Sequence, residues 1–202
     1  VYHIHTDSKP IGISASISLN AGTYQDAAGN LGLAASSPPI DIDTLSASID
    51  DTKITNARGA LPGFNDASIQ WLNAGDEIDA SVTFNEPVFL NLTSGSPTLA
   101  FTVGTETVQA NYVSGSGTNT LVFSTTVAAG QNDSNGVALT VNALSLNGAT
   151  LKDASGNTAI ITSASVPDNA KYLVDTTRPT VAISSDTGTL NAAQTAIITF
   201  TF

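Results

Sequence analysis

Apolar and polar residues alternate with a period of two along most of this chain. From Glu77 to Phe84 the positions Ile78, Ala80, Val82 and Phe84 fall on one side and mostly polar residues on the other, the pattern of a strand with one buried face. Glu86, followed by Pro87, is placed at that strand's end. Thr98 to Val103 and Thr107 to Val113 flank Gly104-Thr105-Glu106 and predict a hairpin. Thr120 to Val127 and Gly136 to Val141 predict two further strands. Ser114-Gly115-Ser116-Gly117 and Asn132-Asp133-Ser134-Asn135-Gly136 carry turn chemistry between them. No segment holds a helical period. Short strands about ten residues apart, each closed by a turn, predict an all-β, Ig-like antiparallel β-sandwich.

Internal repetition divides the chain. Asp26-Ala27-Ala28-Gly29-Asn30 returns as Asp153-Ala154-Ser155-Gly156-Asn157, 127 residues on. Asp43-Thr44 returns as Asp175-Thr176, 132 residues on, and Leu72-Asn73-Ala74 as Leu190-Asn191-Ala192, 118 residues on. After each Asp-Thr pair comes an alternating segment, Leu45 to Ile49 and Thr180 to Ile183, and Ala196 to Phe202 repeats the strand that begins at Ile78. The repeats predict tandem modules: the C-terminal part of one over 1–44, a complete one over 45–176 and the opening strands of the next over 177–202. Such a division predicts an excerpt of a longer chain. Val1 to His5 reads as a strand and not as a leader peptide.

Composition narrows the function. Charged residues make up 11% of the chain, far below the ~25% of ordinary soluble domains, so Ser, Thr, Asn and Gly must supply the polar surface. Six basic residues stand against 17 acidic ones, a net charge of −11. This excludes the basic patch on which nucleic-acid affinity rests and disfavours anionic membranes. No apolar run is long enough to cross a bilayer as a helix, so no direct membrane insertion is expected. The chain has no cysteine, hence neither disulfide nor thiolate metal site.

The motifs Asp26 to Asn30, Asp153 to Asn157, Val174-Asp175-Thr176-Thr177-Arg178-Pro179-Thr180-Val181, Leu72 to Asp76, Val82 to Val88 and Tyr112 to Thr118 resemble, in this order, the bacterial Ig-like tandem repeats of giant secreted adhesins, including the type I-secreted, RTX-type biofilm adhesins. The resemblance implies a stalk of many modules on the bacterial cell surface, with calcium at the junctions between them.

The acidic residues are arranged to suit that expectation. Asp41 and Asp43 are two apart on an extended segment and point to one side. Asp50 and Asp51 follow the next short strand, and Asp26 and Asn30 bracket a turn near the same junction. Asp153, Asn157, Asp175 and Asp186 form a sparser set at the second junction, with Asp168 nearby. Hard cations such as Ca2+ take six to eight oxygens, which converging carboxylates and amides supply; the same residues also serve as ordinary turn formers. Asp76, Glu77 and Asp79 read as a solvated face, and Glu86 as a lone ligand or none. His3 and His5 share one side of a strand but lack further ligands for a transition metal. No nucleophile elbow, phosphate loop or dinucleotide fingerprint is present, so no enzyme is expected.

These readings predict a calcium-stiffened extracellular spacer whose partners are neighbouring Ig-like modules of the same chain or identical copies. A filament subunit joined head to tail by β-strand complementation is the alternative. A glycan-binding module is a further one, with Trp71, the only tryptophan, and nearby Phe64 as its aromatic surface.

Overall fold

The computed structural model describes residues 13–38, 40–63 and 68–202. His3, His5 and the strand expected at the N-terminus lie outside this set, as does Phe64. The described residues form seventeen strands and no helix. They are β1 (Ile13–Ala15), β2 (Ser18–Leu19), β3 (Ala35–Ser36), β4 (Ile40–Ile42), β5 (Ile49–Arg58), β6 (Leu61–Pro62), β7 (Gln70–Leu72), β8 (Glu77–Asn91) and β9 (Thr98–Val103). There follow β10 (Glu106–Ser114), β11 (Thr118–Thr126), β12 (Asn132–Asp133), β13 (Ala138–Ser145), β14 (Thr150–Asp153), β15 (Tyr172–Asp175), β16 (Ala182–Ser185) and β17 (Ile198–Thr201).

Two of the sheets enclose the core. The larger runs β13-β9-β10-β11-β8-β14, with β5 also paired to β8; the smaller runs β12-β15-β7-β6. This is the two-layered β-sandwich character expected from alternation. All pairs of the larger sheet are antiparallel. In the smaller one β15 and β7 run parallel, Tyr172 to Val174 beside Gln70 to Leu72. The inward positions Ile78, Ala80, Val82 and Phe84 are all buried, and the largest buried side chains include Phe84, Phe101 and Phe123. Leu72, Tyr172 and Val174 from the smaller sheet join the same core. Every buried hydrophobic residue of the described chain lies between Ala47 and Val174. Smaller two-stranded sheets flank this unit: β1 with β4, β2 with β3, and β16 with β17.

Strand β8 organises the acidic chemistry. It does not end before Pro87 but continues to Asn91 over 15 residues. One edge receives β5 along Glu77 to Phe84 and then β14 along Val88 to Asn91. On the other edge the register with β11 shifts between Thr83 and Val88. Pro87, which has no N–H to donate, sits in this gap between two ladders, where proline is tolerated within a sheet. Asp79 is buried against Arg58 (3.1 Å) and is not part of a solvated face.

The repeated motifs share their hydrogen bonds. In the first turn, Asp26 Oδ1 accepts from the Ala28 and Asn30 N–H groups at 2.9 and 3.0 Å, and Oδ2 from the Asn30 amide at 2.8 Å. In the second, Asp153 Oδ1 accepts from Ser155 and Asn157 at 2.9 Å each, and Oδ2 from the Asn157 amide at 2.9 Å. The Gly29 and Gly156 φ angles, 88° and 93°, close both turns in the left-handed region that glycine enters freely. Asp43 Oδ1 caps the Leu45 N–H as Asp175 Oδ1 caps that of Thr177.

Candidate functional site

Three carboxylates from distant parts of the chain meet beside β8. Asp43 comes from the linker after β4, Glu86 from the middle of β8, and Asp153 from the end of β14. One oxygen of each lies within 4.8 Å of the others. Pairing is the cause. Antiparallel register sets Asp153 opposite Val88, two residues along the strand from Glu86. Glu86 itself continues the inward series Ile78, Ala80, Val82, Phe84 and Val88, so a carboxylate occupies a position that the strand period directs toward the interior.

Asn157 holds the linker against this cluster. Its side-chain amide donates to the Leu45 carbonyl at 2.9 Å, to the Asp43 carbonyl at 3.3 Å and to Asp153 Oδ2 at 2.9 Å. Further along, the Ile160 N–H donates to the Ala47 carbonyl at 2.7 Å. The segment between β4 and β5 is thus fastened to the turn that follows β14.

The electrostatics are unfavourable without a counter-charge. Glu86 Oε1 is buried and has no hydrogen-bond partner. Burial, and then the negative charges of Asp43 and Asp153, raise the Glu86 carboxyl above its ordinary value. A buried polar atom without a partner is uncommon in folded proteins. A cation between the three groups would supply the missing partner and offset the repulsion. The donor set is all oxygen, as hard cations prefer. The three acidic residues therefore form a group that could hold a metal ion.

The structure brings together Asp43, Asp153 and Asn157 of the residues selected by sequence and adds Glu86 to them. Asp26 and Asn30 form the homologous turn and are exposed; the Asn30 side-chain and backbone amides lower the Asp26 carboxyl below its ordinary value. Asp41 falls in β4, and its side chain lies outside the described part. Asp50 and Asp51 begin β5, with Asp51 paired to Lys53 at 3.4 Å. Asp175 ends β15 and caps Thr177. Asp186 lies between β16 and β17 and accepts from the Ile197 N–H at 2.9 Å. Asp168 accepts from the Asn135 amide. Of the described aspartates among these, none of the six (Asp26, Asp50, Asp51, Asp168, Asp175 and Asp186) joins the three-carboxylate cluster.

Fold and site together define an all-β chain with two like turns and a cluster of three carboxylates drawn from the segment after β4, from β8 and from β14. Comparison with protein-family models, with curated proteins and with solved structures finds no match.

Proposed function

We infer that this chain is a spacer segment of a repetitive extracellular bacterial surface protein, in which calcium held by Asp43, Glu86 and Asp153 fastens the incoming linker to the module. One observation carries this reading. Asp43 precedes the core that begins at Ala47, whereas Glu86 and Asp153 belong to the module, and all three carboxylates converge within 4.8 Å. An ion shared between linker and module removes the freedom of the joint, which is how a row of modules becomes a stiff stalk. Calcium is favoured over softer metals by an oxygen-only set, by the absence of cysteine and by the net charge of −11. The repeated Asp-Thr and Asp-Xaa-Xaa-Gly-Asn motifs support a tandem array, and the resemblance to adhesin repeats supports the extracellular setting.

The test is thermal unfolding in excess chelator, in 10 mM calcium and in 10 mM magnesium. Extracellular calcium modules bind with Kd of roughly 10⁻⁴–10⁻³ M. Such affinity stabilises the folded state by about 1.4–2.7 kcal/mol at that calcium concentration, a rise in Tm of roughly 3–10 °C. Magnesium, which demands tighter octahedral geometry, should give much less. Equal melting in chelator and calcium would overturn the reading.

A further inference from the structure

We propose that the cleft between β7 and the outgoing linker binds a pyranose sugar stacked on Trp71. This goes beyond the spacer reading and does not depend on the metal. The cleft measures about 430 Å3, within the ~300–1,000 Å3 of small-molecule sites. Leu61, Trp71 and Asn73 form one wall, and Asp175, Arg178 and Pro179 the other. Strand period explains the tryptophan: Leu72 turns into the core at 1% exposure, and its neighbour Trp71 turns out at 38%.

Three polar side chains that line the cleft keep bonding capacity unused among the described residues. The Trp71 indole N–H and the Arg178 guanidinium make no hydrogen bond or ion pair, and Asp175 uses only Oδ1, to cap Thr177. The wall that carries Asp175 and Arg178 is held in place. Thr176 N–H donates to Asn132 Oδ1 at 2.9 Å, Thr176 Oγ1 donates to the Gln131 carbonyl at 3.0 Å and accepts from Gly130 N–H at 2.9 Å, and Thr177 Oγ1 donates to Asn132 Oδ1 at 3.2 Å. Partners fixed before binding lose little freedom on binding. A pyranose ring fits this chemistry: one apolar C–H face for the indole, and a rim of hydroxyls for a planar guanidinium and a free carboxylate oxygen. Both charged groups can engage neighbouring hydroxyls in pairs.

Because Trp71 is the only tryptophan, its fluorescence reports on this cleft alone. The full chain in excess chelator is titrated with methyl β-glucopyranoside, methyl β-galactopyranoside, N-acetylglucosamine and glucuronic acid, with acyclic sorbitol as control. The expected result is a saturable spectral shift with at least one pyranoside in the millimolar range and none with sorbitol. Arg178→Ala should weaken that binding about tenfold, as loss of one charge-assisted hydrogen-bonding group does, with the melting temperature unchanged. The proposal is overturned if no pyranoside gives a saturable shift, if sorbitol matches the sugars, or if Arg178→Ala binds as well as the parent.

Discussion

The Asn157 side-chain amide reaches across 112 residues of sequence to the Leu45 carbonyl, at 2.9 Å. Asn30, its counterpart in the first turn, bonds within its own turn to Asp26. The same residue in the same turn therefore has two roles, and substitution should separate them. Asn157→Ala releases the linker and strips Asp153 of a donor, and should cost about 1–3 kcal/mol. Asn30→Ala, at an exposed position, should cost no more than ~0.5 kcal/mol. Urea unfolding of the two variants checks this; equal losses would mean that Asn157 supports only its turn.

Glu86→Gln should change sign with calcium. In chelator it removes a charge that is both buried and repelled by Asp43 and Asp153, and the variant should be more stable than the parent. In calcium the parent gains an ion that the variant binds more weakly, and the order should reverse. Paired melts of both proteins in both buffers read the crossing. A variant less stable in both buffers would show that Glu86 is not strained by the cluster.

The pH dependence in chelator follows from the same shift. The folded-state carboxyl of Glu86 lies above its unfolded value, so the folded state holds its proton more tightly. Stability from this group is highest below the unfolded value, falls as pH rises toward the folded one, and is level above it. Asp26, shifted downward, acts in the opposite sense: its contribution is present above its unfolded value and lost as pH falls through the folded one. The difference between parent and Glu86→Gln across pH 3–8 isolates Glu86. The parent should lose ground to the variant as pH rises through and above the ordinary carboxylate range; a flat difference would contradict the assignment.

Asp133 is a structural carboxylate and should behave unlike the cluster. It is 3% exposed and accepts from Gly104 N–H at 2.7 Å, Gly136 N–H at 2.8 Å and Asn135 N–H at 3.2 Å. It ties the β9–β10 turn to β12. Asp133→Ala orphans these donors and should cost roughly 2–5 kcal/mol, in calcium and chelator alike, measured by urea unfolding.

Strands were legible where one face is buried and the other polar. Residues 78–84, 98–103 and 107–113 show this, and their alternation reads directly as β8, β9 and β10. Strand β5 escaped because Ile49–Arg58 is nearly all polar, with Ile54 its one buried side chain. Strands β7 and β15 are too short, at three and four residues, to show a period. The site was half legible. Asp43, Asp153 and Asn157 stood out through repetition, but nearness in sequence grouped Asp43 with Asp26. The pairing of β14 with β8 groups it with Asp153 and Glu86 instead, and such long-range register leaves no local mark. One signal was present: Glu86 is an acid on the inward side of a strand.

Gly75 and Ala193 take the third place of the same turn. Asn73 N–H donates to Asp76 Oδ2 and Asn191 N–H to Gln194 Oε1, both at 2.7 Å, and the return bonds to the Asn73 and Asn191 carbonyls are both 3.1 Å. The φ angles are 96° at Gly75 and 65° at Ala193. A Cβ in this left-handed region costs roughly 1–2 kcal/mol, partly offset because alanine has less unfolded-state freedom to lose than glycine. A Cβ on Gly75 would meet nothing within 4 Å, so the backbone alone sets the cost. Gly75→Ala should therefore destabilise the module by about 1 kcal/mol, seen in its urea midpoint. Ala193→Gly should stabilise the β16–β17 hairpin by a similar or smaller amount, seen as slower amide exchange along Ile198–Thr201. The two substitutions must have opposite signs if the turns are equivalent, and a shared sign would refute that equivalence.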